Sequence, residues 1–178
     1  MRCPSLSRKA SRGETGMTLI ETLIAVIVLM VGVLATMSLL TLAVMQNANQ
    51  GERATRTSEC AQDKMEQLLA LDYADAATNT TVYPTTSTGG TGLGGAMAGN
   101  ATVGGVNPAA LVAGYVDYLD ASENLLPSAT GAVYVRQWSI TTNAAGTLKT
   151  ITVLARATSS VGSQGAASST TLVSSKSG

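Results

Sequence analysis

The chain has 178 residues, close to the ~150 of one ordinary domain, and balances 11 Lys and Arg against 11 Asp and Glu. A formal net charge of +0 excludes a basic nucleic-acid binder, so no nucleic acid is expected among its partners. Histidine is absent, which removes the usual general base near neutral pH and the commonest metal ligand, and with them most hydrolase and zinc readings.

Charged residues make up only 12% of the chain, against ~25% in a typical globular protein. Apolar residues reach 45% and mean hydropathy is +0.23, and the hydrophobicity is concentrated in one block near the N-terminus. Residues 1–16 carry Arg2, Arg8, Lys9 and Arg12 against Glu14 alone, a net +3 that leaves −3 for the rest. From Thr15 to Gly51 the only ionisable side chain is Glu21, and Thr22 to Met45 is a 24-residue uncharged run without proline. As a helix that run is about 36 Å long, enough for the ~30 Å hydrocarbon core of a bilayer. The remaining sequence is rich in Gly, Ser, Thr and Ala and is poorly suited to surround so long an apolar helix inside a soluble domain. Four basic residues before the helix place the N-terminus in the cytoplasm and the head on the far side of the membrane. A conventional signal peptide has a shorter apolar region of ~7–15 residues before a small-residue cleavage site. Gly32 and Ala35 imitate such a site, but apolar residues continue beyond both.

The segment Gly16-Met17-Thr18-Leu19-Ile20-Glu21-Thr22-Leu23-Ile24-Ala25 resembles the prepilin cleavage and methylation motif of type IV pilins and the related pseudopilins. In that motif a basic leader ends in Gly and the apolar helix carries a Glu at its fifth position, which is Glu21 when Met17 is counted as first. The sequence departs from the family at Met17, where Phe is the usual residue. The resemblance implies cleavage between Gly16 and Met17 by a prepilin peptidase, methylation of the new amine of Met17, and subunit assembly through Glu21. Each residue also has its own physical logic. Gly16 has no side chain to hinder an extended scissile peptide at the membrane edge. Glu21 lies about one turn inside the apolar segment, where an unpaired charge is costly. In the family its partner is the N-terminal amine of a neighbouring subunit; the simpler alternative is a carboxylate near enough to the interface to stay hydrated.

After Met45 the chain turns polar while Ala54, Ser58, Ala61, Met65, Leu68 and Asp72 keep helical spacing, which predicts a helix continuing to about Leu71 with one stripe on a globular head. Glu52 and Arg56 form a favourable i,i+4 pair, whereas Glu59 and Asp63 repel at the same spacing. Ala61 to Leu69 resembles the corresponding helix end of PilV-type minor pilins; Asp63 and Glu66 within it read as a solvated face.

Tyr83 to Gly105 holds 8 glycines in 23 residues and reads as a surface loop; without GxxxxGK[ST] or a nearby lysine it is no phosphate cradle. Asp117, Asp120 and Glu123 recur every three residues as an acidic patch, but the EF-hand pattern is missing and no metal site is assigned. Residues 132–141 and 148–157 read as an antiparallel hairpin around Asn143-Ala144-Ala145-Gly146. Period-two geometry puts Tyr134, Trp138 and Ile140 on one face, and Ile151, Val153 and Ala155 on one face of the second strand, as cover for the helix stripe. A third, weaker strand is expected from Ser169 to Val173. The hairpin resembles the head of PilV-type minor pilins, less specifically than the N-terminal motif does. Cys3 lies in the leader, so cleavage leaves Cys60 alone, a small core residue in the absence of an activating neighbour. Without a G-x-S-x-G elbow or any activated nucleophile, no enzyme is expected and no cofactor is implied.

The expected fold class is α+β, a long N-terminal transmembrane and filament helix packed on a small antiparallel β-sheet head, type IV pilin-like. Residues 1–16 form the cytoplasmic leader, 17–45 the hydrophobic half of the helix, 46–72 its amphipathic half, 73–130 a Gly- and Thr-rich loop region and 131–178 the head. The resemblance implies a minor pilin acting in pilus assembly and initiation. It is inserted once in the inner membrane before assembly and lies in the pilus at the cell surface afterwards. The implied partners are other major and minor pilins, the prepilin peptidase and N-methyltransferase, the inner-membrane assembly machinery and, before assembly, membrane lipid. The alternatives are a type II secretion pseudopilin and a single-pass membrane protein whose exported domain binds a ligand.

Overall fold

The structure, a computed structural model, describes residues 18–82, 88–158 and 168–178, with only the backbone of Asn49. The leader, with Gly16, and the first residue after the expected cleavage, Met17, lie outside the described residues, as do residues 83–87 of the glycine-rich loop. It has an α+β layout: one apolar N-terminal helix and a small antiparallel sheet. Two compact units are present, Met1–Gln46 and Asn47–Gly178.

Helix α1 spans Leu19–Ala70. Thr18 opens it by accepting the N–H groups of Glu21 and Thr22. The absence of proline and the dominance of Leu, Ala and Met in long stretches favour the helix throughout. Its last turn contains no basic residue; instead Lys176, far along the chain, donates to the Leu69 carbonyl at 2.6 Å and satisfies one of the orphan acceptors of the helix end.

In the second unit six strands form one antiparallel sheet: β1 (Thr102–Gly104), β2 (Val116–Leu119), β3 (Leu125–Leu126), β4 (Tyr134–Thr142), β5 (Leu148–Ala157) and β6 (Ser169–Ser177). The order is β3-β2-β4-β5-β6, with β1 also paired to β4. The expected hairpin is β4 and β5, starting at Tyr134 rather than Ala132 and running to Thr142. Its register sets Trp138 opposite Val153 and Ile140 opposite Ile151. The connector is held by the Asn143 side-chain oxygen, which accepts the N–H groups of Thr147 at 2.9 Å and Leu148 at 3.1 Å. The third strand is longer than expected, continuing past Val173 to Ser177. Strands β1, β2 and β3 fall inside the stretch read from sequence as loop.

Cys60, Ala61, Met65 and Leu68 of α1 are buried in one core with Tyr134, Trp138, Ile140, Ile151, Val153 and Ala155. Of the expected helix stripe Ala61, Met65 and Leu68 are buried and Ser58 half-buried; Ala54 and Asp72 are exposed, Asp72 lying beyond the helix end at Ala70, and Thr57 is buried in place of Ala54. Thr57 tolerates burial because its hydroxyl donates to the Ala54 carbonyl and lies within 3.3 Å of the Ser168 and Thr170 hydroxyls. Trp138 is fully buried, with its ring 6.2 Å from that of Tyr115. Gly104, at φ 76°, lets β1 approach β4 closely; a Cβ there would collide with the Trp138 carbonyl and the Tyr115 ring.

Candidate functional site

The described part of the first unit is an apolar helix. Every described residue there is exposed, with large side chains such as Leu19 (84%), Leu29 (66%) and Leu39 (68%). Mean hydropathy over its most apolar 18 residues is 2.8, so α1 is long and apolar enough to cross a membrane. Its hydroxyls are satisfied within the helix. Thr22 donates to the Leu19 carbonyl at 2.8 Å, Thr36 to Val33 at 2.9 Å, Ser38 to Leu34 at 3.1 Å and Thr41 to Met37 at 3.0 Å. Such back-bonding removes the desolvation cost of a hydroxyl in a lipid or protein interior. Glu21 differs from them. It stands in the first turn, and its carboxylate has no ion pair or hydrogen bond among the described residues.

The second unit contains an ion cluster that the sequence analysis did not find. Asp117 on β2 accepts Lys64 Nζ at 2.8 Å, Arg136 Nε at 2.8 Å and Arg136 Nη2 at 2.9 Å, and all three side chains are almost fully buried. Arg136 Nη1 reaches Asp63 at 2.7 Å and the Cys60 carbonyl at 3.4 Å. Lys64 also donates to the Thr80 carbonyl and stands 3.9 Å from the centre of the Trp138 ring. Burial holds the Lys64 ammonium below its usual range despite Asp117. For Arg136 burial acts downward too, but the bidentate Asp117 and then Asp63 outweigh it and raise the guanidinium. Two cations and two carboxylates cancel, and each guanidinium nitrogen already has a partner, so the cluster ties α1, β2 and β4 together.

Asp63 is thus corrected from a solvated face residue to a partner of Arg136, although its side chain remains 59% exposed. Glu66 is exposed. Arg56 pairs with Glu123 at 3.1 Å and with Glu59 at 3.7 Å.

The acidic run does not act as one patch. Asp117 points into the core, Glu123 goes to Arg56, and Asp120 accepts the N–H groups of Ser122 and Asn124 and the Asn124 amide. The Asn124 side chain first, then its backbone N–H, holds Asp120 below the usual Asp range. Among the described residues no three His, Cys, Asp or Glu side chains are grouped to hold a metal ion. Lys149 is a further fully buried cation: it donates to the carbonyls of Tyr73 at 2.5 Å, Leu93 at 2.9 Å and Gly95 at 2.6 Å, fastening the loop after α1 onto β5. Cys60 is buried, and desolvation pushes its thiol up to about 12, so it lacks the thiolate character of a reactive cysteine.

A signal for the cluster was present in the alternation. Arg136 shares a strand face with Tyr134 and Trp138, and Asp117 shares one with Tyr115 and Leu119, so opposite charges sit on two faces otherwise destined for the core.

No protein-family model, curated protein or solved structure matches this chain.

Proposed function

We propose that this chain is a type IV pilin-like subunit, most similar to PilV-type minor pilins, acting in pilus assembly and initiation. Prepilin peptidase would cut the inner-membrane precursor between Gly16 and Met17 and methylate Met17, leaving the head in the periplasm until assembly. The observation that carries this reading is the isolation of Glu21: a lone carboxylate in the first turn of an exposed apolar helix, without a partner among the described residues. A passive membrane anchor has no use for such a charge, which costs a few kcal/mol or more when unpaired in lipid. A filament uses it, because the new amine of a neighbouring subunit is the cation that neutralises it and fixes axial register. The sheet-packed second half of α1 supports the same division of labour, one part for lipid or helix packing and one for the head.

The test is the strain lacking this chain, complemented with the unaltered protein, Glu21→Gln or Glu21→Ala. The protein is quantified in membranes and in sheared surface filaments. The expected outcome is unchanged membrane abundance with loss of both variants from filaments. Equal incorporation of Glu21→Ala would contradict the reading and favour a membrane-anchored binding domain.

A further inference from the structure

A cleft of about 510 Å³ opens in the second unit between α1 and the turn that joins β2 to β3. Asp63 and Gln67 of the helix and Glu123 and Asn124 of the turn line it, together with Leu119 of β2 and Leu125 of β3. Glu123 holds φ 65°, a left-handed conformation that a residue with a Cβ rarely adopts, so the turn keeps a carboxylate where glycine would fit more easily.

The hydrogen bonds of the cleft leave an excess of acceptors. Arg136, its buried cation, has each guanidinium nitrogen engaged, on Asp117, Asp63 or the Cys60 carbonyl. Gln67 donates its amide to Asp63 at 2.9 Å and Asn124 donates its own to Asp120 at 3.1 Å, which fixes both amides and leaves their carbonyl oxygens over. Asp63 receives Gln67 and Arg136 on one oxygen, and Glu123 receives Arg56 on one oxygen. Four oxygens therefore have no hydrogen-bond partner among the described residues: Asp63 Oδ1, Gln67 Oε1, Glu123 Oε2 and Asn124 Oδ1. Two come from the helix and two from the turn. Charge has the same sign. Lys64, Arg136, Asp117 and Asp63 cancel, while beside them Arg56 alone stands against Glu59 and Glu123, with Asp120 on the same turn.

We infer that this cleft binds a primary ammonium group on an unbranched aliphatic stem, the head of a free diamine or of a lysine side chain. An ammonium carries three donors and no acceptor, which suits single oxygens offered from two walls. A guanidinium is a poorer match, because its planar fork takes both oxygens of one carboxylate and each carboxylate here has already given one. A hard divalent cation is poorer still, since among the described residues no three ligating side chains are grouped to hold it. Leu119 and Leu125 supply apolar surface for the methylenes behind the charge.

The test titrates the full-length protein in nonionic micelles with n-butylammonium, n-butylguanidinium and n-butanol, followed by calorimetry. The expected result is one saturable site for the ammonium, binding of the guanidinium at least about tenfold weaker, and none of the alcohol. Glu123→Gln and Asp63→Asn, which keep the size of each side chain, are each expected to weaken the ammonium by about tenfold or more. Glu66→Gln, at an exposed acid of the same helix outside the cleft, should leave it unchanged. Circular dichroism and Trp138 fluorescence report that each variant is folded. Cadaverine and Nα-acetyl-lysine methylamide separate the sources: tighter binding of the first assigns a free diamine, and tighter binding of the second a lysine of a partner protein. No saturable ammonium binding, equal binding of the guanidinium or the alcohol, or an effect of Glu66→Gln as large as that of Glu123→Gln would overturn the inference.

Discussion

Replacing Asp117 by Ala removes the carboxylate that, among the described residues, alone reaches both Lys64 and Arg136. Three charge-assisted hydrogen bonds of 2.8, 2.8 and 2.9 Å are lost together, and two cations remain in a site where neither is exposed to water. Breaking a buried ion pair from one side costs about 3–5 kcal/mol, because the stranded charge keeps its desolvation penalty. Against a total stability of about 5–15 kcal/mol, that loss brings the head close to unfolding. Asp63→Ala is the internal control. It also removes a bond to Arg136, but from a side chain 59% exposed, and is expected to cost about 1 kcal/mol or less. The chain has one tryptophan, Trp138, buried beside Lys64, so urea unfolding of the detergent-solubilised protein followed by its fluorescence reads this region directly. The apolar triple variant Lys64→Met, Asp117→Leu, Arg136→Met should recover much of the loss, since it strands no charge. An Asp117→Ala cost below about 1 kcal/mol, or one equal to that of Asp63→Ala, would refute the assignment of the cluster as the tie between helix and sheet.

Three further outcomes follow from the same packing. Gly104→Ala places a methyl group against the Trp138 carbonyl and the Tyr115 ring at a positive φ; beyond the about 1–2 kcal/mol of left-handed strain it should displace β1, visible as changed Trp138 emission and a lowered melting temperature. Cys60, with its thiol pushed up to about 12 chiefly by burial, should resist iodoacetamide at pH 8 in the folded protein and react readily in urea; equal rates in both states would contradict its burial. Asp75 is acted on upward by burial, but the hydroxyl and N–H of Thr78 and the N–H of Ala77 outweigh this and hold it below its ordinary 3.8. A depressed carboxyl stabilises the fold fully above 3.8 and loses that contribution as pH falls through its folded value. Amide exchange at Thr78, corrected for intrinsic rates, should therefore lose protection below pH 3.8 in the native protein and show no such step in Asp75→Asn.

The helix, the β4–β5 hairpin and the buried positions of Trp138 and Cys60 were legible because each is encoded locally. Spacing of three and four residues carried α1 to its end, alternation carried the hairpin, and Asn143 with Gly146 marked its turn. What escaped depends on distant partners. Strands β1 and β3, at three and two residues, are shorter than any period that would reveal them, and they exist because β4 and β2 offer edges to pair with. Asp117, Lys64 and Arg136 look like surface residues one by one. They become a core feature only when the sheet register brings Asp117 opposite Arg136 and α1 lays Lys64 over Trp138. Lys149 escaped for the same reason, since three backbone carbonyls take the place of a carboxylate.

The central claim, a processed pilin-like subunit, is tested most directly by the mass of its N-terminal peptide. The protein is extracted from membranes of its native host and compared with a strain lacking prepilin peptidase. The account predicts a peptidase-dependent start at Met17, with one methyl group on the amine. An intact precursor beginning at Met1 in both strains, with the peptidase active on another substrate, would contradict it.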